Sequence, residues 1–125
     1  MNSMLISLAV AGVFIVTGAV LGFRLAGRGK PYNAAVLIVH IIITLLIAAG
    51  LVASIFKVRG ISAGKVYFLV SLHLGMLAIM VNIVTGVILA RVKKETPKLV
   101  LTHKLATLVM ILSILTSAVF TFIKF

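Results

Sequence analysis

The chain has 125 residues, of which 63% are hydrophobic and 10% charged, and its mean hydropathy is +1.37. This balance lies far outside that of soluble domains and excludes a water-soluble globular fold. The formal net charge of +11 does not indicate nucleic-acid binding, because the basic residues lie at the ends of apolar segments and leave no soluble basic face for a duplex. The absence of cysteine excludes disulfides and thiolate metal sites.

Four apolar segments follow one another along the chain, each with the ~20 residues that cross ~30 Å of hydrocarbon as a helix. The first segment lacks a basic n-region and is too long for a signal-peptide core, so we expect it to remain as a helix. Short connections predict antiparallel neighbours in an up-down bundle. The sequence therefore predicts an all-α membrane protein, a single transmembrane domain over residues 1–125 with helices at about 4–23, 34–56, 66–90 and 99–123.

The connections between these segments contain helix-breaking residues. Gly27, Gly29 and Pro31 lie in the first connection. In the third connection, Thr96 followed by Pro97 predicts an N-cap residue with proline at the first helical position. The predicted helices are therefore separated by turns rather than joined into longer ones.

Basic residues are distributed unevenly between the two sides of the predicted membrane domain. Eight lie in connections one and three or just inside helix four, and four lie on the other side. The positive-inside rule then predicts cytoplasmic connections one and three and extracytoplasmic termini. The eight are Arg24, Arg28, Lys30, Arg91, Lys93, Lys94, Lys98 and Lys104, and the four are Lys57, Arg59, Lys65 and Lys124.

The two halves of the chain resemble each other. Residues 15–18 and residues 83–86 both read IVTG, and the segment His40–Thr44 corresponds to His103–Thr107. Two hairpins of the same orientation are related by a pseudo-two-fold axis along the membrane normal, which would make the two histidines symmetry mates. The alternative is chance similarity among helices rich in valine, isoleucine and leucine.

Few ionisable residues lie within the predicted helices. The only acidic residue, Glu95, falls in the third connection, so no intramembrane carboxylate is present to bind cations, relay protons or act in hydrolysis. His40 and His103 both lie ~10 Å below the same membrane surface, at 1.5 Å of rise per helical residue. His73 enters from the opposite surface, so it is displaced from the other two.

Two neutral imidazoles at matching depth on diagonal helices of a four-helix bundle are suited to ligate a b-type haem from both faces. Gly18 and Gly86 reach the same level and would leave room for the edge of the macrocycle. The alternative for Gly18 is close helix packing, since it forms a GxxxG spacing with Gly22. The pattern predicts one haem b per chain, with His40 and His103 as its iron ligands.

Four further residues are predicted to support this cofactor. Arg91 and Lys104 are the nearest cations for the haem propionates. Thr44 and Thr107 lie one turn after the histidines and are candidates for orienting the imidazoles. The alternative for each threonine is a hydrogen bond to a carbonyl of its own helix.

His73 and Asn82 are secondary candidates. His73 has no histidine at its own depth, which favours a structural role, or one serving a partner or a quinone, over axial ligation. Asn82 lies one turn before Gly86 on the same face, so we expect it either to face the cofactor or to form a hydrogen bond across helices.

The four-helix plan with His40 and His103 resembles that of small membrane b-type cytochromes, such as bacterial cytochrome b561-like proteins and the haem-bearing anchors of respiratory enzymes. The resemblance implies electron transfer, with a quinol or a redox partner protein exchanging the electrons, either as a carrier or as a subunit of a membrane oxidoreductase. Those families often hold two haems through four histidines, whereas three histidines are present here. The alternative function is a cofactor-free structural or anchor subunit of a membrane complex, or a small transporter. Both a homo-oligomer and a larger complex fit the sequence.

Overall fold

The computed structural model describes residues 3–57, 63–94 and 96–122, and Arg59, Glu95 and Lys124 lie outside them. Each of its four helices is long and apolar enough to cross a membrane. The predicted all-α architecture of four long apolar helices is confirmed, and the chain is a multi-pass membrane protein whose apolar surfaces contact the lipid bilayer. The helices are α1 (Ser3–Arg28), α2 (Ala34–Lys57), α3 (Ala63–Arg91) and α4 (Pro97–Phe122).

The ends of the helices are set by local backbone chemistry. α1 continues to Arg28, five residues beyond its predicted end, and Gly29 follows in the left-handed region with φ of 64°. α2 begins after Asn33, whose side-chain Oδ1 accepts a 3.2 Å hydrogen bond from the backbone N–H of Val36. α4 begins at Pro97, as the Thr96–Pro97 pair predicts and two residues before the start at residue 99 that hydropathy gives.

The chain divides into two compact units, residues 1–47 and residues 48–125. The first unit contains α1 and the beginning of α2, which together form the first hairpin. The second unit contains the remainder of α2 together with α3 and α4, and the last two helices form the second hairpin. The single transmembrane domain stays a prediction.

The second hairpin is stabilised by buried aliphatic side chains and by small and polar residues between its two helices. Leu72 and Ile79 of α3 are almost fully buried, at 2% and 1% exposure. The Ser71 and Ser117 hydroxyls form a buried 2.6 Å hydrogen bond between α3 and α4. At Gly75, a Cβ atom would lie 3.3 Å from the Cβ of Ser113, so the two backbones approach closely. Since lipid tails are as apolar as leucine, such packing and hydrogen bonds, rather than the hydrophobic effect, stabilise helix pairs in membranes.

Candidate functional site

The first hairpin holds His40 against the backbone of α1. This half-buried residue lies seven positions after the N-cap residue Asn33, which places it ~10 Å along the helix. Its Nδ1 lies 3.0 Å from the carbonyl oxygen of Gly18. Because a carbonyl oxygen can only accept, Nδ1 carries the proton and Nε2 carries the lone pair.

The second hairpin fixes the same tautomer through a side chain. His103 lies seven positions after Thr96, and its Nδ1 is 2.9 Å from Oγ1 of Thr85. The Thr85 hydroxyl has one proton, and its shortest hydrogen bond, 2.7 Å, is donated to the carbonyl oxygen of Val81. Thr85 therefore accepts the Nδ1 proton of His103, and the lone pair again lies on Nε2.

Each imidazole lies over a glycine of the preceding helix. A Cβ atom added to Gly22 would lie 3.2 Å from Cε1 of His40, and one added to Gly86 would lie 3.3 Å from Cε1 of His103. Such separations are tighter than most real Cβ contacts, so both rings occupy space that glycine leaves. Gly18 differs, because its Cβ would meet Cγ2 of Ile43 at 3.2 Å while its carbonyl oxygen binds His40.

These contacts define the register of the repeat. Gly22 and Gly86 are 64 positions apart, and the two histidines that they contact are 63 apart. The buried residues Leu25 and Leu89 are also 64 positions apart. The offsets between equivalent residues of the two hairpins therefore differ by only one position. The IVTG match has an offset of 68, which differs from the offset of 64 between Gly22 and Gly86 by about one helical turn.

The two threonines that follow the histidines form matching bonds. The hydroxyl of Thr44 donates to the carbonyl oxygen of His40 at 2.9 Å, and that of Thr107 donates to the carbonyl oxygen of His103 at 2.9 Å. Of the two alternatives in the sequence, the bond to the helix's own carbonyl is the one observed for both residues. They act on the backbone of each histidine rather than on its ring.

Asn82 extends the polar cluster of the second hairpin. It is 5% exposed, and its Nδ2 donates to Oγ1 of Thr107 across the helix pair at 3.1 Å. The backbone carbonyl of Asn82 also lies 3.2 Å from Oγ1 of Thr85. The second hairpin thus brings together Gly86, His103 and Thr107 with Asn82, all of them predicted, and with Thr85, which the sequence reasoning missed.

Removal of Thr107 from the Asn82–Thr107 hydrogen bond is expected to destabilise the second hairpin more than removal of Asn82. Thr107→Val leaves the buried amide of Asn82 without this partner, so we expect a loss of about 1–3 kcal/mol in unfolding free energy. Asn82→Leu removes the amide itself and should cost less, near the ~0.6 kcal/mol average of interhelical hydrogen bonds in membranes. The double variant should be more stable than Thr107→Val alone.

Circular dichroism of the purified protein, unfolded by adding dodecyl sulfate to mild detergent, measures these differences. Thr116→Val is the matched control, because the exposed Thr116 hydroxyl bonds only the carbonyl of Leu112 on its own helix among the contacts described here. A double variant less stable than both single variants would mean that the bond is not the source of the effect.

The remaining predicted residues lie apart from the imidazole and glycine contacts. His73 is exposed on α3, and its Nδ1 donates to the carbonyl oxygen of Leu69 at 2.7 Å. Arg91 ends α3 and Lys104 follows His103, and both side chains are exposed. They are near the connection between α3 and α4 in sequence, as the propionate hypothesis requires.

A donor set for a cofactor can be assessed from these contacts. Within residues 3–57, 63–94 and 96–122, no group of three or more histidine, cysteine, aspartate or glutamate side chains is arranged to hold a metal ion. A b-type haem takes only two protein ligands, and ligating histidines usually donate their other ring N–H to a carbonyl or a similar acceptor. His40 and His103 have this tautomer, so their chemistry fits axial ligation. In comparisons with known protein families, curated proteins and solved structures, no match to this chain was found.

Proposed function

We propose that the chain binds one haem b, with His40 and His103 as the iron ligands, and transfers electrons within the membrane. The observation that carries the proposal is the matched state of His40 and His103. Both lie seven residues after an N-cap residue, and both have Nδ1 within 3.0 Å of an oxygen on the preceding helix, an arrangement that a proton on Nδ1 satisfies. Haem ligation uses the lone pair of a neutral imidazole, and this tautomer presents it on Nε2.

The protein's contribution would be to hold the ligands and to set their surroundings. The carbonyl of Gly18 and the hydroxyl of Thr85 hold the Nδ1 protons, which fixes the tautomer and the ring orientation. Bound haem supplies one-electron chemistry, while axial ligands and a low-dielectric environment tune its potential. Arg91 and Lys104 are the proposed cations for the propionates, and a membrane quinol or a redox partner protein is the proposed source or acceptor of electrons.

A cofactor-free structural or anchor subunit is the second candidate function. The contacts of Gly22 and Gly86 with the imidazole rings favour it, because each histidine already fills a space within its own hairpin. On this alternative, the histidines join helices and no chromophore is required.

An ultraviolet-visible spectrum of the purified protein, with and without dithionite, separates the two functions. The haem proposal expects a Soret band, reduced α and β bands and one haem per chain. A preparation from haem-replete cells that lacks a Soret band would exclude the haem proposal and favour the structural subunit.

For the orientation in the membrane, we propose cytoplasmic connections one and three and extracytoplasmic termini, from the excess of basic residues on one side. The chain has no cysteine, so single cysteines at Ser3 and Lys94 can be probed with an impermeant thiol reagent. We expect labelling of position 3 and protection of position 94 in intact cells. Labelling of position 94 in intact cells would reverse the assignment.

A further inference from the structure

A shallow cleft opens at the end of the first hairpin, where α1 passes into α2. It is lined by Arg24, Leu25 and Arg28 from α1, by Tyr32 and Asn33 from the connection, and by Val36 from α2. The cleft is a surface depression open to its surroundings rather than an enclosed cavity. Its position at the end of two apolar spans corresponds to the level of lipid headgroups.

The charge of this cleft is not balanced within its own hairpin. Arg24 and Arg28 are both exposed and lie one helical turn apart, a spacing at which like charges repel. The only acidic residue of the chain is Glu95, so the first hairpin contains no carboxylate side chain. An anion between the two guanidinium groups would relieve their repulsion and accept charge-assisted hydrogen bonds.

The lining also contains an apolar part. Val36 of α2 is half-buried and lines the cleft beside the buried Leu25. A bare anion uses only the arginines, whereas a phospholipid offers a phosphate to them and a hydrocarbon chain to the valine. Basic pockets between membrane helices bind anionic lipid headgroups in this way.

We propose that this cleft binds an anionic phospholipid, with the phosphate between Arg24 and Arg28 and the upper part of an acyl chain against Val36. The inference goes beyond the proposed haem function and stands without it, because no histidine takes part. Arginine suits the site because its planar guanidinium binds phosphate through two parallel hydrogen bonds.

Native mass spectrometry of the full chain in mild detergent tests the proposal, with phosphatidylglycerol and phosphatidylcholine titrated separately. We expect the unsubstituted protein to retain phosphatidylglycerol in preference to phosphatidylcholine. The double variant R24Q/R28Q should bind phosphatidylglycerol about thirtyfold more weakly, and R28Q alone about fivefold more weakly, at ~1 kcal/mol for each basic residue near a lipid surface. The single variant keeps the test valid if the double variant does not fold.

The matched control is K93Q/K94Q, which removes the same charge from the exposed connection of the second hairpin. Its binding of phosphatidylglycerol should fall clearly less than that of R24Q/R28Q, because Lys93 and Lys94 do not line the cleft. Equal losses in the two double variants would overturn the proposal. So would equal retention of the two lipids, or displacement of phosphatidylglycerol by excess inorganic phosphate, which would indicate a site for a bare anion.

Discussion

Alanine at His40 or at His103 is expected to remove the low-spin haem spectrum, whereas alanine at His73 is expected to leave it nearly unchanged. Loss of one axial ligand leaves the iron five-coordinate and changes its orbital splitting. The loss of haem should exceed the roughly 10–100-fold fall in metal affinity that follows removal of a ligand's hydrogen-bond partner. Haem content per chain and the reduced-minus-oxidised spectrum of each purified variant measure the effect.

His73→Ala is a suitable control because His73 is also an intramembrane histidine with its Nδ1 bonded to a carbonyl oxygen. It differs in being exposed, and its acceptor, Leu69, belongs to its own helix. The tautomer alone therefore does not separate the three histidines, whereas the interhelical acceptor and the glycine contact do. If His73→Ala removed the haem while His103→Ala kept a normal bis-histidine spectrum, the pairing proposed from the repeat would be wrong.

The number and approximate positions of the helices follow from the sequence because the bilayer imposes a length of ~20 apolar residues on each span. The ends of the helices do not follow from hydropathy. α1 passes its predicted end and includes Arg24, because a helix continues through charged residues until its backbone is interrupted, here before Gly29. The start of α2 at residue 34 is predicted correctly, and the Asn33 cap just before it is an N-cap signal that the sequence analysis does not use.

The position of each histidine along its own helix was predictable, but the residue that it meets on the preceding helix was not. Counting residues from the helix starts places His40 and His103 at the same level, and both lie seven positions after their N-cap residues. Which glycine lies under each ring depends on the axial offset between the two helices of a hairpin. Sequence identity between the two hairpins does not specify this offset. The sequence therefore marks Gly22 only as part of a GxxxG spacing, although its Cβ position lies 3.2 Å from Cε1 of His40.

The same axial offset explains why Thr85 was missed. It belongs to the second IVTG segment, and its counterpart in that match, Thr17, is exposed in the first hairpin. Thr85 is buried and its Oγ1 lies 2.9 Å from Nδ1 of His103, whereas the carbonyl oxygen of Gly18 serves His40. The two hairpins thus reach one tautomer through different acceptors, which sequence similarity does not reveal.

Leucine at Gly22 or at Gly86 is expected to destabilise the protein by about 1–3 kcal/mol, the usual cost of overfilling a packed site. At both positions a Cβ atom alone would lie within 3.3 Å of an imidazole Cε1, so a larger side chain must displace the ring or separate the helices. Gly18→Leu should have a similar effect through Ile43, which lies 3.2 Å from the Cβ position there. Haem content, where haem is bound, should fall in the same three variants, because a displaced ring loses its ligand geometry.

Gly12→Leu is the matched control, because among the described residues no atom beyond its chain neighbours and its own turn of helix backbone lies within 4 Å of its Cβ position. Leucine also forms helices better than glycine, by up to ~1 kcal/mol. Unfolding by dodecyl sulfate in mixed micelles, followed by circular dichroism, compares the four variants. Equal losses at Gly12 and Gly22 would show that the ring contact is not the cause. A loss at Gly86 with none at Gly22 would mean that only the second hairpin depends on its histidine. The close approach of His40 to Gly22 would then not contribute to the stability of the first hairpin.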